Sequence, residues 1–329
     1  MNPVLEVEDL CVTFRYREGD VAALRNVSFR IDPSESLGVV GESGSGKSLA
    51  CSAIMGLLPA NATVTGSVRF LGQELLGASE STLRDLRGRR LAIISQDALT
   101  ALNPVHTVGK QISEAIHVHD SSRSRAELRD RAIELLDLVG IPQASARVDN
   151  YPHEFSGGMR QRALIAMSVA NEPDLIIADE PTTALDVTVQ AQVLDVLKRI
   201  QDRTDSALML ITHDLGVVAG VADRVLVMYS GSVVEEASVD DLFYETSHPY
   251  TRGLLASLPR LDARDRSQPL YRIPGFQPSP ADRPAGCAFH PRCDVVVAGL
   301  CDVELPLSIV AGPGHTARCH RVAIDGGAS

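Results

Sequence analysis

Eight consecutive residues, Gly41-Glu-Ser-Gly-Ser-Gly-Lys-Ser48, constrain the fold of this chain more than any other segment. They follow Leu37-Gly-Val-Val40, which has the length and composition of a short buried strand, and they open Ser48–Leu58, which reads as a helix. The result is a strand–loop–helix unit. Glycine permits torsions that turn successive N–H groups inward to form an anion nest. The helix N-terminus beyond adds partial positive charge and unpaired donors. The pattern G-x-x-x-x-G-K-[ST] therefore describes a phosphate cradle built from Gly41, Glu42, Ser43, Gly44, Ser45, Gly46, Lys47 and Ser48. Lys47 is expected to reach β- and γ-phosphates, and the Ser48 hydroxyl to ligate Mg2+. The plainer alternative is a Gly/Ser turn ahead of a helix.

A second segment weighs against that alternative. Leu175-Ile-Ile-Ala-Asp-Glu180 is an apolar run ending in two acids. Asp179, at the strand's C-terminal end, is placed to hold the Mg2+ shell through water. Glu180, one step further, can face the γ-phosphate and polarise an attacking water. Two acids merely capping a strand end is the competing reading, and the loop upstream disfavours it.

The rest of the chain is organised around these two segments. Leu5–Phe14 and Asn26–Ile31 alternate as strands do. From about residue 97 to 155 the character is helical: Ser124-Arg-Ala-Glu127 has the form of a capping box, and Leu128, Ala132, Leu135, Leu136 and Val139 follow at helical spacing up to Gly140. Leu175–Ala178 and Ala207–Thr212 have the length of central parallel strands, with a helix around Val187–Arg203 between them. Arg224–Tyr229 and Ser232–Glu235, joined by Ser230-Gly231, suggest a hairpin. From about His248 the chain is rich in Pro and Arg with only short apolar runs, which places a domain boundary there. No internal repeat is evident.

Composition narrows the function. The formal net charge of −11 opposes a nucleic-acid partner, which would need a basic face to displace counterions. No apolar run reaches the ~18–20 residues that span a bilayer. The N-terminus lacks the basic segment and apolar core of a signal peptide, so the expectation is a cytosolic chain whose membrane role comes through partners. Cys287, Cys293, Cys301 and Cys319 crowd into the C-terminal part. In a reducing compartment such a set points to a [4Fe–4S] cluster or a tetrahedral Zn2+ before disulfides. Close C-x-x-C pairs are absent, which favours the cluster. Metal-free thiols stay open, as do His290, His315 and His320 as substitute ligands.

Phe155-Ser-Gly-Gly-Met-Arg-Gln-Arg162 resembles the signature sequence of ATP-binding cassette ATPases and, as in that family, shortly precedes the acid-ended strand. The resemblance covers roughly residues 4–247 and extends to Ala184-Leu-Asp186 and Thr212-His-Asp214. It implies an α/β fold of the P-loop NTPase class: a RecA-like core, an antiparallel β subdomain, and a helical insertion at about 97–160. It also implies MgATP hydrolysis. Ser156, Gly157 and Gly158 resemble the residues that clamp the γ-phosphate of an ATP bound to the opposite subunit, so one chain alone is expected to be a poor ATPase. Gln96 resembles the glutamine that contacts Mg2+ or water, although Ser95 before it stands where many relatives have an aromatic. His213 resembles the switch histidine that orients the water beside Glu180, and Asp186 the contact to the partner's phosphate loop. Phe14 is the aromatic expected to stack on adenine. Tyr16 is the alternative, and a core role for Phe14 stays open. Met159 stands where the signature more often has glutamine.

The segment 248–329 resembles the extension of the oligopeptide, dipeptide and nickel importer ATPases. The matching residues are Ser247-His-Pro-Tyr-Thr-Arg-Gly-Leu-Leu255, Arg272-Ile-Pro-Gly275 and Gly286-Cys-Ala-Phe-His-Pro-Arg-Cys293. Ala98-Leu-Thr-Ala-Leu-Asn-Pro104 and Tyr151-Pro-His-Glu-Phe-Ser156 belong to the same resemblance. It implies a small metal-binding C-terminal extension, with Cys287, Cys293, Cys301 and Cys319 on a [4Fe–4S] cluster. It further implies a second ATPase subunit (a paralogue in a heterodimer), two transmembrane permease subunits, an extracytoplasmic peptide-binding protein, and a place on the cytoplasmic face of the membrane. The cargo is expected to be oligopeptides or dipeptides. Nickel or another solute is the alternative, and a soluble cassette ATPase outside transport the remote one.

Overall fold

A computed structural model describes residues 2–96, 98–183, 185–258 and 271–326, so Asp97, at the start of the expected helical insertion, and Ala184 of the Ala184-Leu-Asp186 motif lie outside the described residues. The strands are β1 (Leu5–Tyr16), β2 (Gly19–Ile31), β3 (Ser36–Val40), β4 (Ala62–Phe70), β5 (Gln73–Glu74) and β6 (Leu91–Ile94). They continue with β7 (Leu175–Asp179), β8 (Ala207–Thr212), β9 (Arg224–Tyr229), β10 (Ser232–Ser238), β11 (Ile309–Gly312) and β12 (His315–Ala317). The longer helices are α1 (Lys47–Ile54), α2 (Val108–His117), α3 (Arg125–Leu138), α4 (Gly157–Ser168), α5 (Val187–Thr204) and α6 (Pro249–Ala256).

The chain divides into two compact units, one of which holds Phe70–Ile211 with Ile31–Ser36 and residues 2–5. Its strands β6, β7 and β8 run parallel in that order, with Leu91 beside Leu175 and Leu175 beside Ala207. Leu175–Ala178 are all buried, as an unbroken apolar run must be when helices cover both faces of a parallel sheet. Helix α5 buries Val193, Val196, Leu197 and Ile200, a stripe at three- and four-residue spacing. Helix α3 begins at the capping box its sequence indicated. The Ser124 hydroxyl accepts from the Glu127 N–H, and the Glu127 carboxylate accepts from the Ser124 N–H.

The second unit holds Glu6–Arg30, Leu37–Arg69 and the described chain from Thr212 onward. Here β2, β1 and β4 are neighbours in that order. In a separate sheet β3 lies parallel to β9, with Leu37 beside Arg224, and β9 pairs antiparallel with β10. The turn between β9 and β10 places Ser230 at φ 46° and Gly231 at φ 76°. Two successive positive φ values make a type I′ turn, whose twist suits a two-residue hairpin. Helix α1 stops at Ile54, short of the Leu58 its composition suggested, because Gly56 adopts φ 64° and carries the chain out of the helix.

The C-terminal residues continue this sheet. β12 pairs antiparallel with β10, Glu235 beside Ala317, and β11 pairs with β12. Tyr250, Ile273, Ala288 and Phe289 share one buried cluster with Val40, Val225 and Tyr229. Phe289 meets Tyr229 edge-on at 5.3 Å between ring centroids and Tyr250 at 5.4 Å. A segment with few apolar residues thus borrows a core instead of making its own.

Candidate functional site

Within the second unit, β3 delivers the chain into Gly41–Ser48 and α1 carries it away. Gly41, Ser45 and Lys47 are buried, while Ser43, Gly44 and Ser48 are exposed. The Lys47 ammonium donates to the Gly41 carbonyl at 2.8 Å and to the Glu42 carbonyl at 3.1 Å, so it lies folded over its own loop. Those carbonyls are exchangeable for phosphate oxygens, which a desolvated ammonium binds strongly. The Ser45 hydroxyl is buried without a hydrogen-bond partner among the described residues. Gly46 sits at φ 106°, and a Cβ there would meet Leu24 Cδ2 at 2.6 Å. The β9–β10 turn anchors the loop from the other side, for the Gly231 N–H donates to the Ser45 carbonyl at 2.9 Å.

His213 is exposed at the end of β8, and its neighbours fix the turn around it. The Asp214 N–H donates to the Thr212 hydroxyl at 3.0 Å, and the Asp214 carboxylate accepts from the Gly216 N–H at 2.8 Å. Phe14 is half-buried on β1, 6.3 Å from the more exposed ring of Tyr16.

Within the first unit, β7 ends at Asp179 and Glu180 follows with φ 48°, a left-handed conformation uncommon for a side-chain-bearing residue. Its N–H donates to the Ile211 carbonyl at 2.9 Å, which holds that conformation in place. The Glu180 carboxylate accepts from the Thr183 hydroxyl at 2.8 Å and from the Gln96 amide at 3.2 Å. Gln96 and Glu180, 84 positions apart, are therefore brought together. Thr183 was not singled out in the sequence, although its place three residues after Glu180 is a usable signal. Ser156 caps α4, its hydroxyl accepting from the Met159 N–H at 3.3 Å, with Gly157 exposed beside it and Gly158 buried. A Cβ on Gly158 would meet Val189 Cγ1 at 2.5 Å. Asp186 caps α5, accepting from the Val189 N–H at 3.0 Å.

The four C-terminal cysteines are free and, with His248, His290 and His320, line one narrow cavity. Burial pushes the Cys287 thiol up to about 11 and raises Cys293 and Cys319 as well, with neighbouring thiols adding to the effect. Among the described residues no three or more Cys, His, Asp or Glu side chains converge as ligands of a single metal ion. His315 is turned elsewhere, onto Glu235 at 2.8 Å.

One contact of the phosphate loop was not anticipated. Arg292 forms a two-pronged ion pair with Glu42, at 2.7 and 2.9 Å. The sequence offered a signal, since Arg292 belongs to the Gly286–Cys293 motif, but that motif marks only a subfamily until the fold places it.

Two family models match the chain: one described as ABC transporter over residues 24–183, and one described as oligopeptide/dipeptide transporter, C-terminal region, over residues 234–301. The oligopeptide transport ATP-binding protein OppD of Mycobacterium tuberculosis is 53% identical over 100% of this chain and 53% of its own length. The chain thus spans about half the length of that relative. The probable peptide ABC transporter ATP-binding protein y4tR of Sinorhizobium fredii is 50% identical over 97% of this chain and 95% of its own. Among solved structures, the dimeric ATP-binding cassette MJ0796, in a post-hydrolysis state bound to ADP and Pi, is similar with a TM-score of 0.65. It is 26% identical and covers 71% of this chain and 98% of that one. The chain belongs to the ATP-binding cassette (ABC) transporter family, in its oligopeptide/dipeptide group.

Proposed function

We propose that this chain hydrolyses MgATP to drive the uptake of oligopeptides or dipeptides across a cell membrane. One observation carries the reading: an ABC transporter cassette and an oligopeptide/dipeptide transporter C-terminal region occupy the same chain. The cassette corresponds to 1–247, with its helical subdomain at about 97–160, and the extension to 248–329.

The roles of the residues follow from their chemistry and from the resemblance to ATP-binding cassette ATPases. The N–H groups of Gly41–Ser48 and the Lys47 ammonium neutralise the β- and γ-phosphates. Ser48, Gln96 and Asp179 are the groups that would hold the Mg2+ accompanying the nucleotide, Asp179 through water. Glu180 accepts a proton from the attacking water, and His213 orients that water against the γ-phosphate. Phe14 stacks on adenine. Ser156, Gly157 and Gly158 clamp the γ-phosphate bound by a second ATPase, and Asp186 touches that neighbour's phosphate loop. The dimeric, ADP- and Pi-bound relative MJ0796 supports this pairing. The second ATPase is a paralogue, and two permease subunits and an extracytoplasmic peptide-binding protein complete the importer. No helix among the described residues is long and apolar enough to cross a membrane. The subunit is proposed to sit on the cytoplasmic face through its permease partners.

ATPase activity of the reconstituted importer tests the reading. Peptide-loaded binding protein is expected to raise turnover several-fold over empty binding protein. Stimulation by a nickel-loaded binding protein, with none by peptide, would transfer the engine to a different cargo.

The four thiols line one cavity, although no three or more ligand side chains among the described residues gather to hold a metal ion. Thiolates are soft donors that suit an iron–sulfur cluster or a zinc ion alike, and the absence of C-x-x-C pairs favours the cluster. In this reading Cys287, Cys293, Cys301 and Cys319 hold a [4Fe–4S] cluster, which would supply cross-links to a segment with little core of its own. Protein expressed and purified anaerobically is expected to be brown and to release acid-labile sulfide. Stoichiometric zinc without sulfide would overturn it.

A further inference from the structure

Arg292 stands in the C-terminal extension, yet two of its three guanidinium nitrogens are committed to the phosphate loop. Nη1 and Nη2 donate to the two Glu42 carboxylate oxygens at 2.7 and 2.9 Å, Nη1 also reaches the Tyr229 hydroxyl at 3.3 Å, and Nε donates to the Pro274 carbonyl at 2.8 Å. The side chain is only 6% exposed and its partner carboxylate 27%. The main chain of Glu42 is held as well, for its N–H donates to the Tyr250 hydroxyl at 2.8 Å. Tyr250 is itself buried, packed 4.6 Å from Tyr229. Both the backbone and the side chain of the loop's second residue are thus gripped by residues that follow the cassette.

The grip is built rigidly. Arg292 ends a short 3-10 turn, His290–Arg292, in which the His290 N–H donates to the Cys287 carbonyl at 2.9 Å and the Cys293 N–H to the His290 carbonyl at 3.3 Å. The start of that segment is locked in turn, since the Cys287 N–H donates to the Cys301 carbonyl at 2.8 Å. At the loop's end of the grip, the Glu42 carbonyl accepts from Lys47 Nζ. An unbroken series of contacts therefore runs from the cysteine-bearing segment through Arg292 and Glu42 to the lysine meant for phosphate.

A buried ion pair is weak support for stability, because desolvating both partners roughly cancels their attraction. Its distinctive contribution is geometric, as two parallel N–H···O bonds fix both direction and register. The loop it holds is rich in glycine and exposes Ser43 and Gly44, so its unrestrained form would lose much conformational freedom on binding an anion. We infer that Arg292 is a positioning residue for the phosphate loop, which from the C-terminal extension pre-organises Glu42 and so sets the affinity for MgATP. The inference rests on the reading of Gly41–Ser48 as the nucleotide-binding loop.

The test uses the full chain and measures MgATP affinity by equilibrium titration, kcat of the assembled importer at saturating ATP, and the thermal midpoint. Arg292→Met is expected to weaken MgATP binding about tenfold while kcat changes by less than about twofold. Arg292→Lys, which keeps the charge but loses the fork, is expected to recover part of that loss. A merely structural role would lower the thermal midpoint and leave the affinity of the folded fraction unchanged, and that result overturns the inference. Should Arg292→Met fail to fold, Tyr250→Phe removes only the acceptor for the Glu42 N–H. A roughly threefold loss of affinity is expected from it, and an unchanged affinity again overturns the inference. Absence of MgATP binding by the parent chain would instead sink the reading of the loop itself.

Discussion

Glu180→Gln is expected to bind MgATP as tightly as the parent chain but to hydrolyse it at least ~10²-fold more slowly, because an amide cannot accept the proton that the proposed base would take from the attacking water. The substitution is nearly isosteric and leaves the surroundings in place. The backbone at φ 48° and its bond to the Ile211 carbonyl do not depend on the side chain. The Thr183 hydroxyl and the Gln96 amide, which now donate to the Glu180 carboxylate, can still find an amide oxygen. Single-turnover hydrolysis with labelled ATP, beside equilibrium binding of the same nucleotide, separates the two effects. Turnover within a few-fold of the parent would remove Glu180 from the role of base.

The second large effect concerns a residue with no chemistry of its own. Gly231→Ala is expected to cost ~3 kcal/mol or more of stability and to weaken nucleotide binding in whatever folds. At φ 76° an added Cβ would meet the Ala23 carbonyl oxygen at 2.1 Å, a backbone atom that no rotamer change can move aside. The turn must then shift, and two hydrogen bonds shift with it: Arg25 N–H to the Gly231 carbonyl and Gly231 N–H to the Ser45 carbonyl, both part of the phosphate loop's support. Chemical denaturation reads the stability and titration with MgATP the binding. A variant within ~0.5 kcal/mol of the parent would show that the hairpin turn can relax freely.

Elements whose causes are local were legible in the residues. The Gly41–Ser48 loop, the acid-ended β7, the Ser124–Glu127 capping box and the Ser230-Gly231 hairpin each follow from residue types within a few positions of one another. β11 and β12 were not legible. They are four and three residues long, mostly half-exposed or exposed, and become strands only because the β10 edge offers unpaired donors and acceptors. The Arg292–Glu42 pair was invisible for a different reason, since its partners are 250 positions apart and neither motif, taken alone, calls for the other. Likewise the hydrogen bond from Gln96 to Glu180 spans 84 positions and emerges only when β6 and β7 align.

The Glu42–Arg292 pair also bears on how such chains can be inherited. A tail of this kind spliced onto a cassette with a neutral residue at the second loop position would bring in a cation with no counter-ion and nowhere wet to put it. The reverse swap would leave a partly buried carboxylate without its cation. Recombination at the junction between the two segments therefore yields impaired offspring unless both positions travel together, so engineered hybrids should transplant Glu42 with whichever tail carries its arginine.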